Sequence, residues 1–292
     1  MRGFKELDPI VIAAYYLCAV GTVMFCMHPV IIILSLLGSV VLFITLDIRH
    51  KPGIHISFFA LFLILALINP VWYHNGVTVL FVVNDNPITL EATLYGIFAA
   101  GMMISVLYRF RTFSMVMTAD KLMRVFGKLS PKAALILSMA LRYVPLMRHQ
   151  NTKIRNTQKA LGIYRGDNIA DTLKGEARIF SIMATWSLET GIITADSMEA
   201  RGYGSHRRTN FSIYRFTVSD AVFFTITIIL TTIVITAAAA GETDFSFYPA
   251  LSSLSDSPLA AASYTSYGIL SFMPALLEWK EVIRLKCLIS KI

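Results

Sequence analysis

The string Glu199-Ala200-Arg201-Gly202 carries the most specific chemistry in the sequence. It closes a long apolar-rich stretch and runs straight into Tyr203 and Gly204. A helix ending there exposes unsatisfied carbonyls and partial negative charge, which a cation complements. A guanidinium at that end can also reach outward and hold a carboxylate through two parallel N–H donors. Gly202 stops the helix and lets another backbone approach. An Arg-Gly helix end is equally an ordinary cap, so these residues alone support both readings. Other chemistries lack their residues. No GxxxxGK[ST] string occurs, so the chain is not expected to hydrolyse ATP. The six histidines form no i, i+4 pair with one another or with cysteine. Cys18, Cys26 and Cys287 match no metal or redox spacing and read as packing residues. No catalytic, cofactor or metal site is expected.

The elements that would position such a tip are apolar. Of the 292 residues 55% are hydrophobic and 15% charged, well below the roughly 25% charged residues of soluble domains. Blocks of membrane-spanning length run over about 9–27, 29–46, 56–73, 89–108, 217–240 and 264–279. The first block has no small-residue cleavage site and leads into another span, so it reads as a retained span. Arg2 and Lys5, then Arg49 and Lys51, then Lys280, Arg284, Lys286 and Lys291 flank one set of ends. The opposite loops hold acidic residues and no Lys or Arg. The positive-inside rule then gives about six transmembrane helices in the plasma membrane with both termini cytoplasmic. VTVLFVV, within 77–83, reads as a strand or re-entrant piece as easily as a loop. Asp47, Glu91, Asp220 and Glu278 lie near span ends, and mid-span ionisable groups are nearly absent.

The net charge of +8 is concentrated in one insertion. Residues 109–216 hold 18 Lys and Arg against 7 Asp and Glu. The expected organisation is 1–108, N-terminal transmembrane helices; 109–216, a cytoplasmic module; and 217–292, C-terminal transmembrane helices. Nucleic acid is not an expected partner, because membrane proteins retain such charge on the cytoplasmic side. Ser130-Pro131 opens one long helix, apolar to Met147 and polar from Arg148 to Lys159, with Gly162 at its end. A second starts near Asp171 or Lys174 and runs to Arg201, apolar over most of its circumference apart from a narrow polar stripe. Such a helix must be covered by its own chain, a partner or lipid. Binding to the inner leaflet explains the charge; a protein-coupling module also explains two long helices with glycine-terminated polar tips.

The stretch Ala195-Asp196-Ser197-Met198-Glu199-Ala200-Arg201-Gly202-Tyr203-Gly204 resembles the transmembrane T component of energy-coupling-factor transporters, ABC-type importers of vitamins and transition metals. Leu141-Arg142-Tyr143-Val144-Pro145-Leu146 is similar to the start of that family's first coupling helix. The resemblance covers about 135–204 and implies an all-α polytopic membrane protein with two long cytoplasmic coupling helices. It also implies a non-catalytic role, transmitting motion from two ABC ATPase subunits to a substrate-binding S component, with vitamins, cobalt or nickel as cargo classes. In the family each coupling helix ends in an Arg-centred motif. Arg201, with Glu199, Ala200 and Gly202, matches the second. At the first, Leu161 stands where Arg is usual, and Arg165, Lys159 and Arg155 are the alternative cations. A stand-alone carrier or channel is the alternative reading.

Overall fold

Proline opens five of the helices, at Pro9, Pro29, Pro52, Pro131 and Pro258. Its missing N–H would have no partner in a first turn anyway, and its fixed φ suits the helix. Short polar side chains finish the job. Asp8 accepts from the Ile10 amide at 3.1 Å, Thr89 from Ala92 at 3.3 Å and Ser130 from Ala133 at 3.4 Å. The structure is a computed structural model and describes residues 3–46, 52–72, 76–83, 86–163, 169–204, 216–248, 252 and 257–289.

The chain is an all-α polytopic membrane protein. After a short 3-10 turn, Phe4–Glu6, come α1 (Pro9–Phe25), α2 (Pro29–Leu46) and α3 (Pro52–Trp72). An antiparallel hairpin follows, β1 (Val79–Val83) and β2 (Asn86–Thr89), with Val82 opposite Pro87 and an irregularity between Val79 and Phe81. The strand reading of VTVLFVV is thus the one observed. Next come α4 (Leu90–Val116), α5 (Ala119–Leu129), α6 (Pro131–Ala160), α7 (Ile169–Ala200), α8 (Val218–Ala239) and α9 (Pro258–Ile289). Among the described residues four helices (α2, α3 from Gly53, α4 and α8) are long and apolar enough to cross a bilayer. α1 is apolar but shorter, with 17 residues.

The chain forms two compact units, 1–121 with 214–292, and 122–213. In the first, α2 packs on α4 and α9, α4 on α3, and α8 on α1 and α9. Gly38 lies against Ser271, and Gly96 against the Ala66 carbonyl, so these small residues serve close helix packing. Phe4 is fully buried in an aromatic cluster with Tyr15, Tyr16 and Phe223 at centroid distances of 5.7, 6.1 and 5.9 Å. Lys5 donates its amide to Glu278, and its ammonium pairs with the same carboxylate at 3.3 Å. α3 packs one half-buried face, with Ile54, Phe58, Leu61 and Phe62, against the cluster of Phe43, Ile104 and Tyr108, and leaves its other face exposed and apolar, as a helix facing lipid would.

The second unit is built differently. α6 and α7 run antiparallel: Tyr143 meets Thr194 at 2.7 Å, and further along α6 Arg155 holds Glu176 at 2.7 and 2.9 Å. Ile154, Gln158 and Ile179 are buried between them. Much of the apolar surface stays open, including Leu173, Phe180, Leu188 and Ile192. Of the three covers the sequence allowed for this helix, its own chain supplies little among the described residues.

Candidate functional site

The candidate site is the pair of tips at which α6 and α7 end. At α7 the Gly202 amide reaches the Glu199 carbonyl at 2.8 Å, and the Tyr203 amide reaches Met198 at 3.0 Å. Gly202 holds φ at +77°, a left-handed conformation that costs other residues. This is the Schellman arrangement, which ties off otherwise orphaned carbonyls. α6 ends the same way. Gly162 donates to Lys159 at 3.0 Å, Ile163 to Gln158 at 3.1 Å, and Gly162 takes φ +69°. Both tips therefore share one backbone geometry, and its cap position is Arg201 in one and Leu161 in the other. The departure noticed in the sequence is a side-chain change on an unchanged scaffold.

Glu199, Ala200, Arg201 and Gly202 are all exposed. Among the described residues the Arg201 side chain has no hydrogen-bond or ion-pair partner in its own chain. The motif satisfies the helix-end carbonyls through backbone donors, so the guanidinium is not consumed as a cap. That guanidinium, with five N–H donors, belongs to an exposed residue.

The alternative cations of the first tip have different surroundings. Arg155 is engaged with Glu176 inside the helix pair, both side chains 41% exposed. Lys159 occupies the last turn of α6 and is exposed, and its carbonyl accepts from Gly162. Arg165 lies outside the described residues. The two tips face opposite ends of the antiparallel pair. Counted from the Arg155–Glu176 contact at 1.5 Å per residue, Leu161 and Arg201 stand about 45 Å apart along it.

Sequence reasoning missed one charged residue. α4 continues past Tyr108 to Val116, and Arg109 is fully buried in the transmembrane unit. It donates to Tyr15 Oη at 3.2 Å, Ser35 Oγ at 3.3 and 3.4 Å, Tyr267 Oη at 3.3 Å and Ser271 Oγ at 2.8 Å. One cation thus joins α1, α2, α4 and α9. Hydropathy placed it in the basic insertion because Arg111 follows two residues later. The serines and tyrosines one or two turns inside the other spans were the available signal. Glu91, Asp220 and Glu278 do sit near span ends, each buried with partners: Thr78 for Glu91, Asp8 and Thr217 for Asp220, Lys5 for Glu278. Asp47 lies outside the described residues. His55 meets Tyr108 Oη at 3.0 Å, while His50 is not among the described residues.

Comparison with known proteins bears on the whole arrangement. Over 104 residues the chain is 38% identical to the energy-coupling factor transporter transmembrane protein EcfT of Lacticaseibacillus paracasei, a stretch covering 35% of this chain and 39% of that protein. That third of the sequence is EcfT-like. A second relative, EcfT 1 of Listeria monocytogenes serotype 1/2a, is 35% identical over 100 residues, 34% of this chain and 38% of its own. EcfT of Lactobacillus helveticus is 32% identical over 104 residues, 35% and 38% of the two chains. The match therefore spans well under half the length of these curated relatives. No family model matches the chain. The relatives agree with the resemblance read from the tip: a membrane subunit of the energy-coupling-factor type.

Proposed function

We propose that this chain is the T component of an energy-coupling-factor ABC importer, the membrane scaffold that passes ATPase motion to a substrate-binding S component. On this reading the cytoplasmic coupling module is the compact unit 122–213, narrower than the 109–216 expected from the charge because Arg109 is buried in the transmembrane unit, and both termini are cytoplasmic. The cargo is a vitamin or a transition metal and is selected by the S component. The chain performs no chemistry itself. Hydrolysis belongs to two ATPase subunits, one at each end of the α6–α7 pair, and the open apolar faces of α6 and α7 cradle the S component.

The observation that carries the reading is the exposed, unspent Arg201 on a Schellman-closed helix end in a chain with EcfT relatives. A guanidinium presented this way suits a carboxylate in a partner's groove, and enclosure there makes it a strong contact. The first tip offers the same backbone with Leu161 in place of Arg. It is expected to hold its ATPase through apolar contact and neighbouring cations, including Lys159, Arg165 and, once released from Glu176, Arg155. The two grips are then unequal.

Co-purification of the ATPase subunits from native membranes tests this. Losing one partner of a desolvated Arg–carboxylate contact costs about 2–5 kcal/mol, so Arg201→Glu should weaken ATPase binding by at least about 30-fold while the chain still inserts. Leu161→Arg should strengthen it. Unchanged ATPase recovery and uptake in Arg201→Glu would refute the assignment. Transport by the purified chain without an ATPase would instead favour a stand-alone carrier.

A further inference from the structure

The β1–β2 hairpin has a surface that water does not suit. No charged residue occurs from Gly76 to Val83. Val77 is 70% exposed, and the β1 residues Val79, Leu80 and Val82 are 53%, 50% and 60% exposed. Among the described residues β1 pairs only with β2, which leaves its outer edge without a strand partner there. Edge strands in water are protected by lysine, by inward charge or by a covering element. β1 shows none of these among the described residues. Left bare in water, it would be a template for aggregation.

The root of the hairpin fixes where it can be. Leu90 donates its amide to the Thr78 carbonyl at 2.9 Å. Thr78 gives its hydroxyl to the buried Glu91 carboxylate at 2.7 Å. Gly76, at φ +153°, lies against Glu91 and Thr89; a Cβ there would meet Glu91 Oε2 and Thr89 Oγ1 at 2.6 Å. The ribbon is thereby fastened to the first turn of α4, and β2 also lies against α3. α3 is 21 residues long, about 31 Å, which matches the hydrocarbon thickness. Its last residue, Trp72, is 75% exposed, placed as interfacial aromatic residues are. The hairpin root therefore sits at the level where α3 ends and α4 begins.

We infer that the β1–β2 hairpin lies in the membrane–water interface of the leaflet at which α3 ends, with the apolar surface of β1 immersed in lipid. The occupant follows from continuity. Phe59, Leu63, Leu67 and Val71 form an exposed apolar face of α3, a helix long and apolar enough to cross a bilayer, and lipid is the cover such a face calls for. β2 lies against α3, so the exposed apolar residues of its partner strand β1 stand beside the end of that helix. An interfacial position also suits the open strand edge. Its N–H and C=O groups can meet headgroups and water, as they could not in the hydrocarbon core. The hairpin is then a lateral foot that holds α3 and α4 at fixed depth.

Spin-label accessibility on the full-length chain in phosphatidylcholine–phosphatidylglycerol vesicles tests the inference. With Cys18, Cys26 and Cys287 replaced by serine, a nitroxide is placed by Val82→Cys or Leu80→Cys. Ile64→Cys on α3 provides the lipid reference, and Leu161→Cys at the α6 tip provides the water reference. The expected ratio of oxygen to nickel-complex collisions at both hairpin sites is several-fold above Leu161→Cys and approaches Ile64→Cys. A ratio equal to that at Leu161→Cys would put the ribbon in water and overturn the inference. Exclusion of both reagents would overturn it too, by showing a protein cover, either a second copy (if dilution in lipid releases it) or the ribbon's own chain. The Ile64→Cys ratio reports span insertion independently, so a failed hairpin result is distinguishable from a failed membrane assignment.

Discussion

Replacing Arg109 separates the cost of burying a charge from the value of its hydrogen bonds. The guanidinium is fully buried and meets four neutral hydroxyls, with no carboxylate in contact among the described residues. Three of these hydroxyls have outlets of their own. Tyr267 Oη donates to the Ala19 carbonyl at 3.3 Å, Ser271 Oγ to Leu34 at 3.2 Å, and Ser35 Oγ pairs with Ser105 Oγ at 3.3 Å. Arg109→Lys keeps the charge in the low-dielectric interior but places its donors at a single point, so it cannot span Tyr15, Ser35 and Tyr267 together. Losing two charged hydrogen bonds at about 1.5–3 kcal/mol each gives a cost of about 3–6 kcal/mol. Arg109→Met loses every bond and also removes the several kcal/mol spent on desolvating the ion. What remains is mainly an orphaned Tyr15 hydroxyl, about 1–3 kcal/mol. The uncharged variant is therefore expected to be the more stable of the two, and Tyr15→Phe added to Arg109→Met should recover most of the loss. Unfolding in SDS mixed micelles reads this directly. Maleimide reaction of buried Cys26 reports opening once the half-buried Cys18 and the exposed Cys287 are changed to serine. A lysine variant as stable as the parent, or a methionine variant below the lysine one, would refute the account.

Further expectations rest on single contacts. His28 is buried between α1 and α2, where its Nδ1 accepts from the Val30 amide at 3.3 Å and its Nε2 donates to Tyr264 Oη at 3.0 Å. Burial holds its pKa below the usual 6.5, so the unfolded chain binds a proton that the folded chain refuses. Stability should fall as pH drops from about 6.5 toward the folded value, by at most about 1.4 kcal/mol per pH unit. His28→Asn, which keeps a cap acceptor, should flatten that part of a melting-temperature profile recorded from pH 7.5 to 5. Arg155 and Glu176 are each 41% exposed, so a double-mutant cycle with Arg155→Ala and Glu176→Ala should give a coupling of only about 0–1 kcal/mol, shrinking with salt. A coupling of several kcal/mol in chemical unfolding would show that this pair, rather than apolar contact, joins α6 to α7.

The helices were legible because their signals are local. Proline with a preceding Ser or Asp marks a start wherever it falls, and Gly162 and Gly202 mark ends by the φ they adopt. The tip was legible for the same reason, since Arg201 and its cap lie within a few consecutive residues. Arg109 was not. What keeps it in the spans is the spatial convergence of Tyr15, Ser35, Tyr267 and Ser271, spread over 256 residues of sequence and invisible to a hydropathy window. The sheet reading of VTVLFVV was open because its apolar run is too short to separate strand from helix by period alone. Its pairing with Asn86–Thr89 decides it.

The two units distribute polar groups in opposite ways, and the contrast bears on how each can work. In the transmembrane unit, buried charge is used to tie distant segments together. Asp220 accepts from the Asp8 amide at 2.9 Å and from the Thr217 hydroxyl at 2.6 Å. Lys121 donates to the Lys5 carbonyl at 2.6 Å and the Val116 carbonyl at 3.0 Å, and burial pushes its ammonium pKa down. Such contacts have one good geometry and resist sliding. The α6–α7 pair instead leaves Leu173, Phe180 and Leu188 at least 70% open and buries few side chains between its helices. Helices of 30 and 32 residues with so thin a shared core gain little apolar burial against the entropy of ordering them. Their stability in the working protein must come from whatever covers that surface. A frame that is closed on itself and a helix pair that is not is the division expected of a subunit whose moving contacts are with other chains.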